Sequence, residues 1–244
     1  MPCPNLKGRS MIIASADPGP VRDERELIDQ LPLHAARALE LGCGAARQTR
    51  MLARSGKFAS IVALEVDRVQ HALNLALDDL PSVRFGLGGA EAIPAADTSV
   101  DAVFLFKSLH HVRLDLLSQA FAEIRRVLAP GGIVYISEPV FGGHYNDILR
   151  LFHDEQRVRE AAFGATRAEI DSGRLTLVSQ TFFLAQVRYR DFAEFERKVI
   201  AATHTEHRLS PDLLRQVRTR FESHMSAHGA QFAAPFRVDL LKKI

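Results

Sequence analysis

Two glycines and an acid carry the first chemical signal in this chain. Ala38-Leu-Glu-Leu-Gly-Cys-Gly-Ala-Ala46 sets Gly42 and Gly44 at the end of a short apolar run, and Glu65 follows about 20 residues on. Paired glycines let a backbone bend sharply and leave room for a ligand against the main chain. An acid ending the next apolar run, Ile61 to Glu65, is placed to accept hydrogen bonds from ribose hydroxyls. Strand, glycine turn and helix in that order open a nucleotide-binding βαβ unit.

The elements that must position these residues follow from periodicity. Ala38 to Leu41 reads as a buried strand, Arg47 to Arg54 as an amphipathic helix, and Asp23 to Leu31 as a short helix leading in. Val69 to Leu80 has helical spacing and ends at Pro81. Val83 to Leu87 is a third strand. Asp101 to Phe106 is a fourth, nearly continuous in apolar residues, as when both faces are covered. Leu114 to Leu128 is an amphipathic helix stopped by Pro130-Gly131-Gly132, and Ile133 to Ser137 is a fifth strand. This alternation predicts an α/β fold with a doubly wound, mainly parallel sheet and a crevice at the carboxyl ends of its strands.

Beyond Glu138 the rhythm changes. Asn146 to Ala162 reads as a long helix, Leu175 to Tyr189 as strand-like, and Phe192 to Ala202 and Pro211 to Met225 as helices. Phe236 to Leu241 reads as a last edge strand. The expected organisation is a flexible tail over residues 1–20, a core over 21–140, and, over 141–244, remaining strands with an inserted helical lid.

With 244 residues, 47% hydrophobic and 25% charged, the chain is an ordinary globular one rather than a disordered one. Its net charge of +2 is too small, and its arginines too scattered among acids, to mark a nucleic-acid surface. Two cysteines, Cys3 and Cys43, make no disulfide framework, so a reducing, cytoplasmic setting is expected. No apolar run reaches the ~18–20 residues of a membrane span.

Four segments together resemble the class I S-adenosylmethionine (SAM)-dependent methyltransferases, and particularly their small-molecule branch near the ubiquinone and menaquinone biosynthesis enzymes. They are Leu39 to Ala46, Ile61 to Glu65, Gly88 to Pro94 with Asp97 to Asp101, and Glu123 to Gly132. With Leu109-His110-His111, the resemblance covers residues 37–139 and implies a seven-stranded, Rossmann-like sheet. It further implies that Glu40, Gly42, Cys43 and Gly44 surround the methionine tail of SAM. Glu65, beside Val66, would take the ribose. Ala90 and Glu91 would lie near adenine, and Lys107 and Ser108 near the methionine moiety. Two positions depart from the family pattern. Ala46 replaces its third glycine, and Gly89 stands where an acid often contacts adenine, so either Glu91 substitutes or backbone and apolar walls hold the ring.

In-line methyl transfer needs a base only if the acceptor must lose a proton. His144 and Tyr145, following the fifth strand, are the leading candidates for the acceptor pocket, with His110 next. His111, Asp147, His153, Asp154, His204 and His207 are further ones. Arg150 or Arg157 could pair with an acceptor carboxylate. His204 and His207 have two-ligand helical spacing, but with no third ligand nearby in sequence no metal is expected. The expected partner is a small-molecule acceptor, with the chain a monomer or homodimer. A methyltransferase acting on a macromolecule and a catalytically inactive SAM-binding or regulatory protein stay open as alternatives. A dinucleotide oxidoreductase is a further one, although Gly44 is followed by Ala45-Ala46-Arg47 rather than by the rest of a G-x-G-x-x-G run.

Overall fold

The computed structural model describes residues 11–201 and 209–244. Its first half alternates as expected: α1 (Glu24–Asp29), β1 (Ala36–Leu41), α2 (Arg47–Arg54), β2 (Phe58–Glu65), α3 (Arg68–Leu75), β3 (Val83–Leu87) and β4 (Val100–Phe106). Two 3-10 turns, Leu109–His111 and Leu114–Leu116, lead to α4 (Leu117–Val127), and β5 (Leu128–Pro139) follows without a loop. The remainder is α5 (Gly143–Leu149), α6 (Gln156–Asp171), β6 (Leu175–Tyr189), α7 (Phe192–Phe195), a π-helical turn (Glu196–Ile200), α8 (Pro211–Glu222), β7 (Met225–Ser226) and β8 (Gly229–Lys243).

Across the sheet the order is β3-β2-β1-β4-β5-β8-β6, with β7 paired to β8. Strands β1 to β5 pair in parallel, and β8 runs antiparallel to both β5 and β6. The fold is therefore the expected doubly wound α/β sheet, with one antiparallel edge. The chain order reverses between β1 and β4, and the crevice of such a sheet opens at the carboxyl ends of that pair.

Side chains alternate across a strand, and the sequence obeys that period of two. Leu39, Leu41, Val103, Leu105, Val134 and Ile136 face one way, onto Phe121 and Ile124 of α4. Ala38, Ala102, Phe104, Phe106 and Tyr135 face the other, onto Ile28 of α1 and Leu52 of α2. A third cluster, with Ile148, Tyr189, Phe195, Val217, Phe221 and Phe232 among its members, lies at the far ends of β6 and β8 under α5, α7 and α8. No helix among the described residues is long and apolar enough to cross a membrane.

Three expectations change. The last strand is no edge: β8 lies between β5 and β6, and Val238 and Leu241 on its opposite faces join different core clusters. The helix expected over Asn146 to Ala162 is two helices, α5 and α6, and the Asp154 carboxylate accepts from the Gln156 N–H at 3.0 Å where the second begins. The described part of the expected loose tail, residues 11–20, runs along β6. There the Ile12 N–H donates to Gln180 at 3.1 Å and the Leu184 N–H to the Pro20 carbonyl at 2.9 Å.

Candidate functional site

The turn after β1 is shaped by two left-handed glycines. Gly42 has φ of +73°, and a Cβ there would stand 2.7 Å from the Cβ of Ser108, so both backbone and space demand glycine. Gly44 has φ of +50°, and a Cβ there would meet nothing within 4 Å. Three side chains tie the turn down. Ser108 donates to the Leu41 carbonyl at 2.7 Å, and Asn74 to the Gly44 carbonyl at 2.8 Å. Glu65 accepts from the Gly44 N–H at 2.7 Å and from the Val66 and Asp67 N–H groups at 2.9 and 3.0 Å. The N-cap of α2 is Ala46, itself left-handed at φ of 58°, which offers no capping side chain to the helix's first N–H groups.

Beside this turn Glu40 is almost wholly buried, and its Oε2 has no partner among the described residues. Burial, with the Glu65 carboxylate nearby, pushes Glu40 up to about 8. Such a buried carboxyl suits a cationic group brought by a ligand. Burial also pushes the Cys43 thiol far up, so it stays protonated and makes no nucleophile.

A cleft of about 1100 Å³ opens here, and all ten residues expected as cofactor contacts line it, as does His110. Gly89 and Glu91 meet within it. A Cβ at residue 89 would lie 2.5 Å from Glu91 Oε2, so the Glu91 carboxylate occupies the space where an acid at 89 would begin. From the other side Leu149, Phe152, His153, Glu155, Arg159 and Lys198 complete the wall.

His144 and Tyr145 lie outside the cleft's lining. His144 is largely exposed and its ring is tilted against that of His224, with centroids 5.1 Å apart. Tyr145 shares a 2.7 Å hydrogen bond with the Tyr189 hydroxyl inside the aromatic cluster. His111 and His153 line the cleft, whereas Asp147, Asp154, Arg150 and Arg157 do not. Arg150 instead pairs with Asp154 and lies over Phe141. The candidates His204 and His207 fall outside the described residues.

His110 is buried between two carboxylates. Its Nδ1–H donates to Glu138, and its Nε2 faces Glu155 at 3.4 Å. Burial alone would lower its basicity, but Glu138 and Glu155 outweigh it and push His110 up to about 9. Glu155 is also held by Arg159 at 2.6 Å. Sequence reading missed Asn74, Glu138, Glu155 and Arg159. Only Glu138, an acid ending a buried strand, carried a signal of the kind that singled out Glu65.

An open-sheet cleft at the β1/β4 reversal, floored by a glycine turn and an acid, places this chain among the doubly wound α/β proteins. Comparison with known proteins narrows the class. The methyltransferase domain family matches over residues 39–136. An uncharacterized methyltransferase of Mycobacterium tuberculosis is 40% identical over 108 residues, covering 44% of this chain and 42% of that protein. A trans-aconitate 2-methyltransferase of Variovorax paradoxus is 32% identical over 121 residues, covering 48% of this chain and 44% of its own length. The matched segments thus span less than half of these relatives. Among solved structures, the YcgJ protein of Bacillus subtilis superposes with a TM-score of 0.62 at 18% identity, over 90% of this chain and 97% of that one. Together these matches liken residues 39–136 to a methyltransferase domain and 90% of the chain to the YcgJ fold.

Proposed function

We propose that this protein transfers a methyl group from SAM to a small-molecule acceptor by in-line displacement. The observation that carries the reading is the convergence of ten family-matched positions on one cleft beside a buried Glu40 oxygen with no partner among the described residues. Bound there, SAM supplies an electrophilic methyl group on a sulfonium. In this reading Glu40 receives the cationic amino group of the tail, and Glu65 takes the ribose hydroxyls with its remaining lone pairs. Glu91 stands in for the acid absent at Gly89. The uncapped start of α2 favours the tail carboxylate. The helices after Glu138 act as the lid, with Phe152 and Leu149 excluding water from the acceptor side. Holding donor and acceptor in line is itself worth up to about 7–11 kcal/mol. The quinone-biosynthesis branch is one candidate source of acceptor chemistry and rests on the sequence motifs alone.

Calorimetric titration with SAM, S-adenosylhomocysteine (SAH) and NAD tests the cofactor. Binding of either sulfur nucleotide without an NAD signal is expected, and no binding of either would overturn the reading.

Glu40 gives a second test. A carboxyl held at about 8 is mostly neutral at pH 7, and a cation favours its ionised form. SAH binding at pH 7 is therefore expected to release a proton, and affinity to rise from pH 6 to pH 8. The heat of binding should then vary with the ionisation enthalpy of the buffer, and Glu40→Gln should abolish that variation. Equal heats in phosphate and Tris would remove Glu40 from the tail site.

A further inference from the structure

The histidine pair after β4 sits in a donor arrangement that methyl transfer does not call for. His110 is 4% exposed. Its Nδ1–H is fixed by Glu138, whose other oxygen accepts from the Leu109 N–H at 3.0 Å. The ring is thereby aimed so that Nε2 faces Glu155 Oε1 at 3.4 Å. The ring of His111 is tilted against that of His110, with centroids 4.1 Å apart. The donor atoms of His110, His111 and Glu155 all lie within 4.8 Å of one another. Around them, His153 reaches Glu155 Oε1 at 2.8 Å and Arg159 reaches Oε2 at 2.6 Å.

We propose that His110, His111 and Glu155 form a binding site for one first-row divalent metal ion, with Glu138 as the positioning residue behind His110. Donor chemistry is the first argument: two imidazoles and a carboxylate suit zinc, iron(II) or cobalt(II), and suit calcium or magnesium poorly. Spacing is the second. Two ligands each about 2.1 Å from an ion at a near-tetrahedral angle stand about 3.4 Å apart. The His110–Glu155 separation of 3.4 Å meets that, and it is long for a direct hydrogen bond. Orientation is the third. A carboxylate on the far nitrogen is how metal-binding histidines are held in one tautomer and one direction. Access is the fourth: His111 is exposed and lines the cleft, so the ion's remaining positions open toward the acceptor side. Arg159 stays on the outer oxygen of Glu155, while His153 gives up its share of Oε1 or becomes a fourth ligand. An ion so placed would coordinate an acceptor oxygen or nitrogen and orient it toward the methyl donor.

The site uses none of the ten residues assigned to SAM, so it can be tested without cofactor. Untagged full-length protein, stripped with chelator, is titrated with cobalt(II) and followed by visible absorption. Saturation at one equivalent with d–d bands is expected. His111→Ala and Glu155→Gln should each weaken cobalt affinity at least about tenfold, and Glu138→Gln should weaken it less while shifting the bands. Circular dichroism melts check folding, and His111, being exposed, loses its ligand atom without disturbing the core. Either no saturable spectrum at about 1 mM cobalt, well above affinities usual for such donor sets, or saturable bands unchanged in both ligand variants would overturn the proposal. The second result would put the ion elsewhere. SAH binding by the same samples keeps the cofactor reading separate, since it requires no metal.

Discussion

Replacing Glu65 by alanine is expected to weaken SAH binding by tenfold to about a hundredfold, a loss of about 1.5–3 kcal/mol set by charged hydrogen bonds. The same carboxylate acts twice. Toward the protein it accepts from the N–H groups of Gly44, Val66 and Asp67, which pins the glycine turn to the end of β2. Toward the cleft it offers the lone pairs assigned to ribose. Glu65→Gln disturbs both roles at once, because its amide retains a single acceptor oxygen and turns its other atom into a donor facing backbone N–H. Glu65→Ala should therefore leave most of the fold intact, as judged by thermal unfolding, while Glu65→Gln loses at least as much affinity. Unchanged SAH affinity in both variants would show that the ribose lies elsewhere.

The second large effect concerns stability. Asp239 on β8 is wholly buried and accepts from the Arg237 Nε–H and from Gln180, each at 2.7 Å. Arg237 lies over the Phe163 ring at 4.6 Å and donates to the Ile13 carbonyl at 2.9 Å. Asp239→Ala leaves a buried guanidinium without its counter-charge, and breaking such a pair costs about 3–5 kcal/mol. Urea unfolding should show that loss. The double variant Arg237→Met with Asp239→Leu should recover most of it, because neither charge then has to be desolvated. If the single variant loses under about 1 kcal/mol, typical of an exposed pair, the pair is hydrated in solution.

Much of this was legible in the chain, for physical reasons that differ from residue to residue. Ala38 beside Leu39 and Val103 beside Phe104 announce two-faced strands because a parallel sheet covered by helices needs apolar side chains on both sides. Gly42 and Glu65 are readable because a sharp turn and a strand-end acid lie at a fixed short separation. Asn74 was not, since its amide reaches the Gly44 carbonyl only after α3 packs against the turn, and a lone asparagine on a helix has no pattern. Glu155 sits in a break that the apolar period runs straight through, where the chain leaves helical geometry between Leu149 and Gln156. His144 and Tyr145 follow β5 in sequence, but the chain turns at Gly142 and Gly143 and carries Tyr145 to the aromatic cluster and His144 to the surface instead of the cleft.

That aromatic cluster is a separate apolar body. Its members pack among themselves at the far ends of β6 and β8 rather than with either side of the main sheet. Segments with their own small core open as cooperative units at lower free energy than the strands beneath them. Amide hydrogen exchange should accordingly run faster in α7 and α8 than in β1, β4 and β5, with the two sets merging only under denaturant. A protein built this way can admit and release ligands by partial unfolding of one end, while the floor that holds the glycine turn stays closed.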